Sequence, residues 1–263
     1  MTEPTIYQPG EFCWVDLLAH DMAAAKPFYG DVFGWQAIDQ DTKGGPPYAQ
    51  FQIGEAVVGG LGQMDDTMKG QGFPPCWNCY VQVESVDDTV AKATANGGFV
   101  VVQPMDVLDA GRLAFFAEPG GAVVGVWQPG THCGASVRNV ANTMCWHELA
   151  TRNIEASKTF YAAVFGWNYR KHESSPSEYF VIDGGEGKDR GGLLLMTPEW
   201  GAVPPHWKVY FVVPSVTETV ATIKAHGGQV FVEPFDTEVG PISIVADAQG
   251  AAFNLMQLGQ SCK

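Results

Sequence analysis

The chain has 263 residues, 46% of them hydrophobic and 17% charged, a length that favours two domains, each able to close its own core. Its formal net charge of −14 at pH 7 is spread along the chain and repels nucleic acid and anionic membrane surfaces. The opening MTEPTIYQPGEF has neither a basic region nor an apolar core, and no membrane-length apolar run occurs, so a soluble, cytoplasmic chain without an export signal is expected.

The first predicted element is a strand, FCWVDLLA. Asp21 is placed to cap the helix MAAAKPFYGDVF, which is apolar at Ala25, Phe28, Tyr29, Val32 and Phe33, and Gly34 is placed to end it. Pro27 removes an internal hydrogen bond and predicts a kink. Short strands follow at QAIDQ, YAQFQI and EAVVGGLGQM, separated by Gly/Pro-rich turns. The pattern then restarts with the strand CWNCYVQV, a cap at Ser85, a helix around VDDTVAKATANGG, and the strands FVVVQPM, GRLAFFAE and AVVGVWQ. Two βαβββ modules result. Cys76 and Cys79 form a C-x-x-C on the predicted strand, where residues three apart face opposite sides, so the pair reads as buried apolar side chains and not as a zinc site.

The same grammar then recurs. Cys13, Trp14, Leu17, Phe28, Tyr29, Phe33, Gly34 and Trp35 match Cys145, Trp146, Leu149, Phe160, Tyr161, Phe165, Gly166 and Trp167 at a constant offset of 132, with Asp16 meeting Glu148. After a two-residue deletion, Trp77, Tyr80 and Gly97-Gly98 match Trp207, Tyr210 and Gly227-Gly228. Solenoid units recur every 20–50 residues or so, so this is a duplicated domain. The expected boundaries are a first domain over 8–130, a linker over 131–141 and a second domain over 142–259. The predicted class is α+β, with four βαβββ modules in two domains. Helices are expected on the outer faces of the sheets, leaving a concave inner face for a small molecule.

The spaced motif D-x-x-x-A-x-x-F-Y-x-x-x-F-G-W at 21–35, together with YVQVESVDD, ANGG and EPGGAVVGVWQ, resembles the vicinal oxygen chelate superfamily of glyoxalases, bleomycin-resistance proteins and extradiol dioxygenases. The second copy repeats the set with YFVVPSVTET, AHGG and DAQGAAFNLMQ, so the resemblance covers nearly the whole chain. More closely, the chain is similar to the duplicated glyoxalase-like branch labelled "hydroxylase", which includes actinobacterial antigens. The resemblance implies a divalent metal held by His, Gln or Glu on the first and last strands of the modules. Counting places those positions at Trp14, Asn78 and Gly125 in the first copy and at Trp146, Lys208 and Asn254 in the second. Indole, glycine and ammonium are not metal donors, so no metal ligand set is assigned and no cofactor is expected, with a divalent ion left open.

Strand alternation puts Trp14 with Asp16, and Trp146 with Glu148, on the inward face of each first strand. Asp16 and Glu148 are candidate general bases, or hydrogen-bond acceptors that tie the sheet together. Asn78, Tyr80 and Trp127 are expected to line the first cleft, and Lys208, Tyr210 and Asn254 the second, with Lys208 facing Glu148. Aromatic walls suit a flat or apolar ligand, and equally an ordinary core. His147 is expected to point away from the cleft, and His132 to be exposed. The reading is a protein that binds a small, partly aromatic or apolar molecule without the usual metal, or else a lyase, isomerase or dioxygenase-type enzyme using a cleft carboxylate or a non-standard metal site. Its partner is a small-molecule ligand, and the chain itself is a monomer or homodimer.

Overall fold

The computed structural model describes residues 5–175, 177–185 and 187–257. The expected end of the second domain at 259 lies outside them. The first half runs β1 (Phe12–Ala19), α1 (Met22–Phe33), β2 (Gln36–Asp39), β3 (Tyr48–Ile53), β4 (Ala56–Gln63), a short α2 (Asp66–Gly70), β5 (Cys76–Gln82), α3 (Val86–Ala95), β6 (Phe99–Val107), β7 (Gly111–Ala117) and β8 (Val123–Pro129). The second runs β9 (Met144–Thr151), α4 (Ile154–Phe165), β10 (Asn168–Lys171), β11 (Tyr179–Asp183), β12 (Asp189–Leu195), a 3-10 turn at Pro198–Trp200, β13 (His206–Val212), α5 (Val216–Ala225), β14 (Gln229–Phe235), β15 (Ile242–Ala246) and β16 (Ala252–Met256). Each half forms one eight-stranded sheet, in the orders β2-β3-β4-β1-β5-β8-β7-β6 and β10-β11-β12-β9-β13-β16-β15-β14. The only parallel pairs in the first sheet are β1 with β4 and β5 with β8, so each βαβββ module closes on its own first strand.

Local chemistry sets the helix ends. The Asp21 carboxylate accepts from the Ala24 amide at 3.1 Å, and Gly34 adopts φ +70°, a left-handed cap that favours glycine. The helix runs through Pro27 without interruption. Ser85 caps α3 by accepting from the Asp88 amide at 3.2 Å. The short α2 has no signal in the sequence: Asp65, at its start, accepts from the Met68 amide at 2.7 Å within a stretch that carries no apolar periodicity.

The helices cover the face of each sheet opposite the candidate residues, as expected, and that face is turned toward the other half. They are packed between the two sheets. Tyr29 of α1 meets Trp77 of its own sheet edge-on at 5.4 Å and Phe253 of the other sheet at 6.0 Å, while Phe33 meets Phe211 at 5.3 Å. Phe160 of α4 meets Phe116 of the first sheet at 6.0 Å, and Trp77 and Phe211 touch directly at 5.1 Å. Two back-to-back sheets bury more aromatic surface than two separate halves would, at about 1.5–3 kcal/mol for each large side chain removed from water.

The repeated Phe-Tyr-x-x-x-Phe-Gly-Trp is the chemistry of this seam. Trp77 Nε1 donates to Tyr29 Oη at 3.1 Å, and Tyr29 donates across the halves to Asp247 Oδ2 at 3.1 Å. Trp35 Nε1 donates to Asn142 O at 2.8 Å and Trp167 Nε1 to Gly10 O at 2.9 Å, each reaching the segment that leads into the opposite half's first strand.

Candidate functional site

With the helices turned inward, the other face of each sheet carries the candidate residues. In the first half Asp16 lies across from Asn78, and Trp14 from Tyr80, in the antiparallel ladder between β1 and β5. It is therefore Asp16, not the position counted as a family ligand, Trp14, that stands opposite Asn78. Asp16 Oδ1 accepts from Asn78 Nδ2 at 2.9 Å, and Oδ2 accepts from Tyr80 Oη at 2.8 Å and Tyr48 Oη at 3.3 Å. Tyr48 in turn accepts from Trp14 Nε1 at 3.1 Å. Asp16 is only 8% exposed, and burial pushes its carboxyl above the usual range against the pull of these three donors.

Trp127 of β8 completes the aromatic wall through the linker. The His132 ring sits edge-on to Trp14 at 4.4 Å and 5.7 Å from Trp127, whose Nε1 donates to His132 O at 2.9 Å. From sequence this histidine is expected to be exposed. Instead the Gly130 and His132 amides bond Ala110 O and carry the imidazole onto the cleft, where burial lowers it to about 4 and keeps it neutral.

The second half keeps the frame and changes the charge. Trp146 Nε1 donates to Tyr179 Oη at 2.9 Å, Lys208 lies across from Glu148, and the two form a buried ion pair. Burial and the Glu148 charge push the Tyr179 and Tyr210 hydroxyls upward. Lys208 also lies 5.3 Å over the Trp200 ring. Asn254 is 1% exposed and donates to Val209 O at 3.3 Å, while its Oδ1 has no partner among the described residues. His206 engages Pro204 O through Nδ1 at 2.8 Å, and burial lowers its pKa. His147 points to the opposite face, stacked on Phe12 at 4.1 Å.

Tyr48 and Tyr179 were missed from sequence. Their signal was the Gly59-Gly60 and Gly191-Gly192 pairs inside the repeat. A methyl group on Gly60 would stand 1.9 Å from Tyr48 Oη, and one on Gly192 the same distance from Tyr179 Oη, so each glycine is the space its tyrosine occupies.

The resemblance implies a divalent metal, and the cleft does not fit one. Both Asp16 oxygens already accept hydrogen bonds, its neighbours are an amide and two phenols, and Lys208 neutralises the carboxylate in the second half. No group of three or more His, Cys, Asp or Glu side chains able to hold a metal occurs among the described residues. Among the described residues, too, no helix is long and apolar enough to cross a membrane.

Comparison with known proteins agrees with this frame. The family model described as Glyoxalase/Bleomycin resistance protein/Dioxygenase superfamily matches residues 12–126 and again 141–255. A relative named "Putative glyoxylase CFP32" from Mycobacterium tuberculosis (strain CDC 1551 / Oshkosh) is 36% identical over 98% of this chain and 98% of its own. The anthracycline biosynthesis protein DnrV of Streptomyces peucetius is 32% identical over 97% of this chain and 95% of its own. Among solved structures, the Mn(II)-bound glyoxalase from Novosphingobium aromaticivorans superposes with a TM-score of 0.65 at 18% identity, covering 95% of this chain and 82% of that one. The 2,3-dioxygenase LapB from Pseudomonas sp. KL28 superposes at 0.63 with 14% identity, covering 98% and 94%. The chain belongs to the Glyoxalase/Bleomycin resistance protein/Dioxygenase superfamily, in two tandem copies.

Proposed function

We propose that the protein binds a small, partly aromatic molecule on the helix-free face of its first sheet, without the divalent metal of its superfamily. The observation that carries this reading is the Asp16 cluster. A buried carboxyl ringed by Asn78, Tyr80 and Tyr48 is a hydrogen-bonding station, and the Trp14 and Trp127 indoles, each 4% exposed beneath the His132 ring, would offer flat faces for stacking once that ring moves. Such walls suit a planar compound bearing hydroxyl or carbonyl groups. DnrV and DauV, both named as anthracycline biosynthesis proteins, support a ligand of fused aromatic rings. In the second half the Lys208–Glu148 pair fills the corresponding place, so the first cleft is the principal site.

Entry requires the His132 imidazole to leave Trp14 and Trp127. The linker's backbone bonds and the Trp127 Nε1 bond to His132 O hold it, and being neutral it carries no charge to be desolvated or paired on the way. The test is elemental analysis of protein purified without chelator. Less than a tenth of an equivalent of Mn, Fe, Ni or Zn is expected, and near-unit occupancy of any of them would refute the metal-free reading.

One observation favours a second reading, catalysis by Asp16. A carboxyl held above its usual range, bonded to two phenols, can carry a proton to or from a bound carbonyl compound. On that reading Asp16→Asn abolishes turnover while leaving ligand affinity within a few-fold, whereas in a pure binding protein the substitution changes affinity alone.

A further inference from the structure

The two halves differ at one edge of the seam. In the first half the linker fills the gap between the parallel strands β1 and β4: the Ala135 amide donates to Cys13 O at 2.9 Å and the Ser136 amide to Val57 O at 2.7 Å. The ladders set Asp16 beside Gly60 and Glu148 beside Gly192, so the second-half counterparts of Cys13 and Val57 are Cys145 and Asp189, 132 residues on. There no described residue fills the gap. Cys145 and Asp189 line a recess of about 360 Å³, together with Arg138, His147, Lys188 and Arg190.

The recess gathers positive charge in a chain whose net charge is −14. Its two carboxylates are already engaged: Glu11 accepts from the Gln8 amide at 3.0 Å and lies 3.6 Å from Arg138, and Asp189 pairs with Arg170 at 2.5 Å. The Arg138 guanidinium is held over the Tyr7 ring at 4.9 Å, and Arg190 is anchored to Pro9 O at 3.3 Å, so both cations are positioned before any ligand arrives. His147 forms part of the wall. It is 4% exposed, and its Nε2 has no partner among the described residues. Burial, with the Arg138 charge adding to it, lowers the imidazole to about 3, so it stays neutral and retains one N–H donor.

We propose that this recess is a binding site for a small molecule bearing an oxyanion, a carboxylate or a phosphate, held by Arg138, Lys188 and Arg190 with His147 at its wall. It lies on the helix side of the second sheet and is independent of the ligand proposed for the first cleft.

The experiment is a titration of the full chain, ¹⁵N-labelled, with inorganic phosphate and separately with sodium benzoate, reading the His147 ring nitrogens by NMR against sodium chloride at matched ionic strength. The resonance is assigned by its loss in His147→Gln. A saturable shift with phosphate alone identifies a phosphate site and with benzoate alone a carboxylate site, and a shift with both identifies a general oxyanion site. In K188Q the apparent Kd is expected to rise several-fold, and in R138Q/K188Q at least tenfold. No saturable shift with either probe, the same shift with chloride, or unchanged affinity in both variants would overturn the proposal.

Discussion

Asn78 and Lys208 stand at the same place in the two halves, each directly across an antiparallel ladder from an acid, Asp16 in one case and Glu148 in the other. The exchange of amide for ammonium leaves the first-half carboxyl held by uncharged hydrogen-bond donors and makes the second half a buried ion pair. It predicts opposite responses to substitution. Lys208→Met leaves Glu148 as an uncompensated buried charge and should cost about 3–5 kcal/mol. The double change with Glu148→Gln should recover most of that loss, whereas Asp16→Asn alone should cost about 1–2 kcal/mol. Urea unfolding of the three variants gives the comparison.

Gly60 predicts a steric effect. Its added methyl would stand 1.9 Å from Tyr48 Oη and 2.8 Å from the Asp16 Cβ, so Gly60→Ala must expel the tyrosine and should destabilise by about 1–3 kcal/mol. In the Tyr48→Ala background the same alanine should cost less than half as much. Equal costs in the two backgrounds would place the strain elsewhere.

Glu118 predicts a pH dependence of the seam between the halves. It is 3% exposed and accepts from Ser157 Oγ of α4 at 3.0 Å, and burial raises it from 4.5 to about 7. The folded state therefore holds the proton more tightly than the unfolded chain. The contribution is fully present below pH about 4.5 and is lost as pH rises to about 7, by at most about 3 kcal/mol. Denaturant midpoints measured from pH 4.5 to 8 should fall more steeply in the parent protein than in Glu118→Gln.

His132 predicts a gain in affinity. In the proposed binding mode part of the binding energy goes into moving this ring off Trp14 and Trp127, so His132→Ala should tighten cleft binding about three- to tenfold, chiefly through the association rate. Weaker binding in the variant would show that the ring contacts the ligand.

Much of this was legible in the sequence. The 132-residue offset, the Asp21 and Ser85 caps and the strand alternation that puts Trp146 and Glu148 on the face opposite His147 all follow from the sequence pattern. So does the facing of Lys208 and Glu148. That the helix-bearing faces meet each other between the halves did not follow, because alternation separates the two faces of a strand without saying which meets the other half. Phe33 meeting Phe211 is a contact between residues 178 apart, and nothing near either one announces it. Tyr48 was hidden for a related reason: its role depends on the missing side chain of Gly60, on another strand. His132 was misjudged because the linker has no periodicity, and its place is set by main-chain bonds to Ala110.

The central claim is that the first cleft binds an aromatic compound without metal, and its most direct measurement is a tryptophan-fluorescence titration of chelator-treated protein with 1,8-dihydroxyanthraquinone. The account predicts saturable quenching, unchanged when chelator is maintained and weakened at least tenfold in Asp16→Asn/Tyr80→Phe. Binding that appears only after Mn(II), Fe(II), Ni(II) or Zn(II) is restored, or that is indifferent to both substitutions, would contradict it.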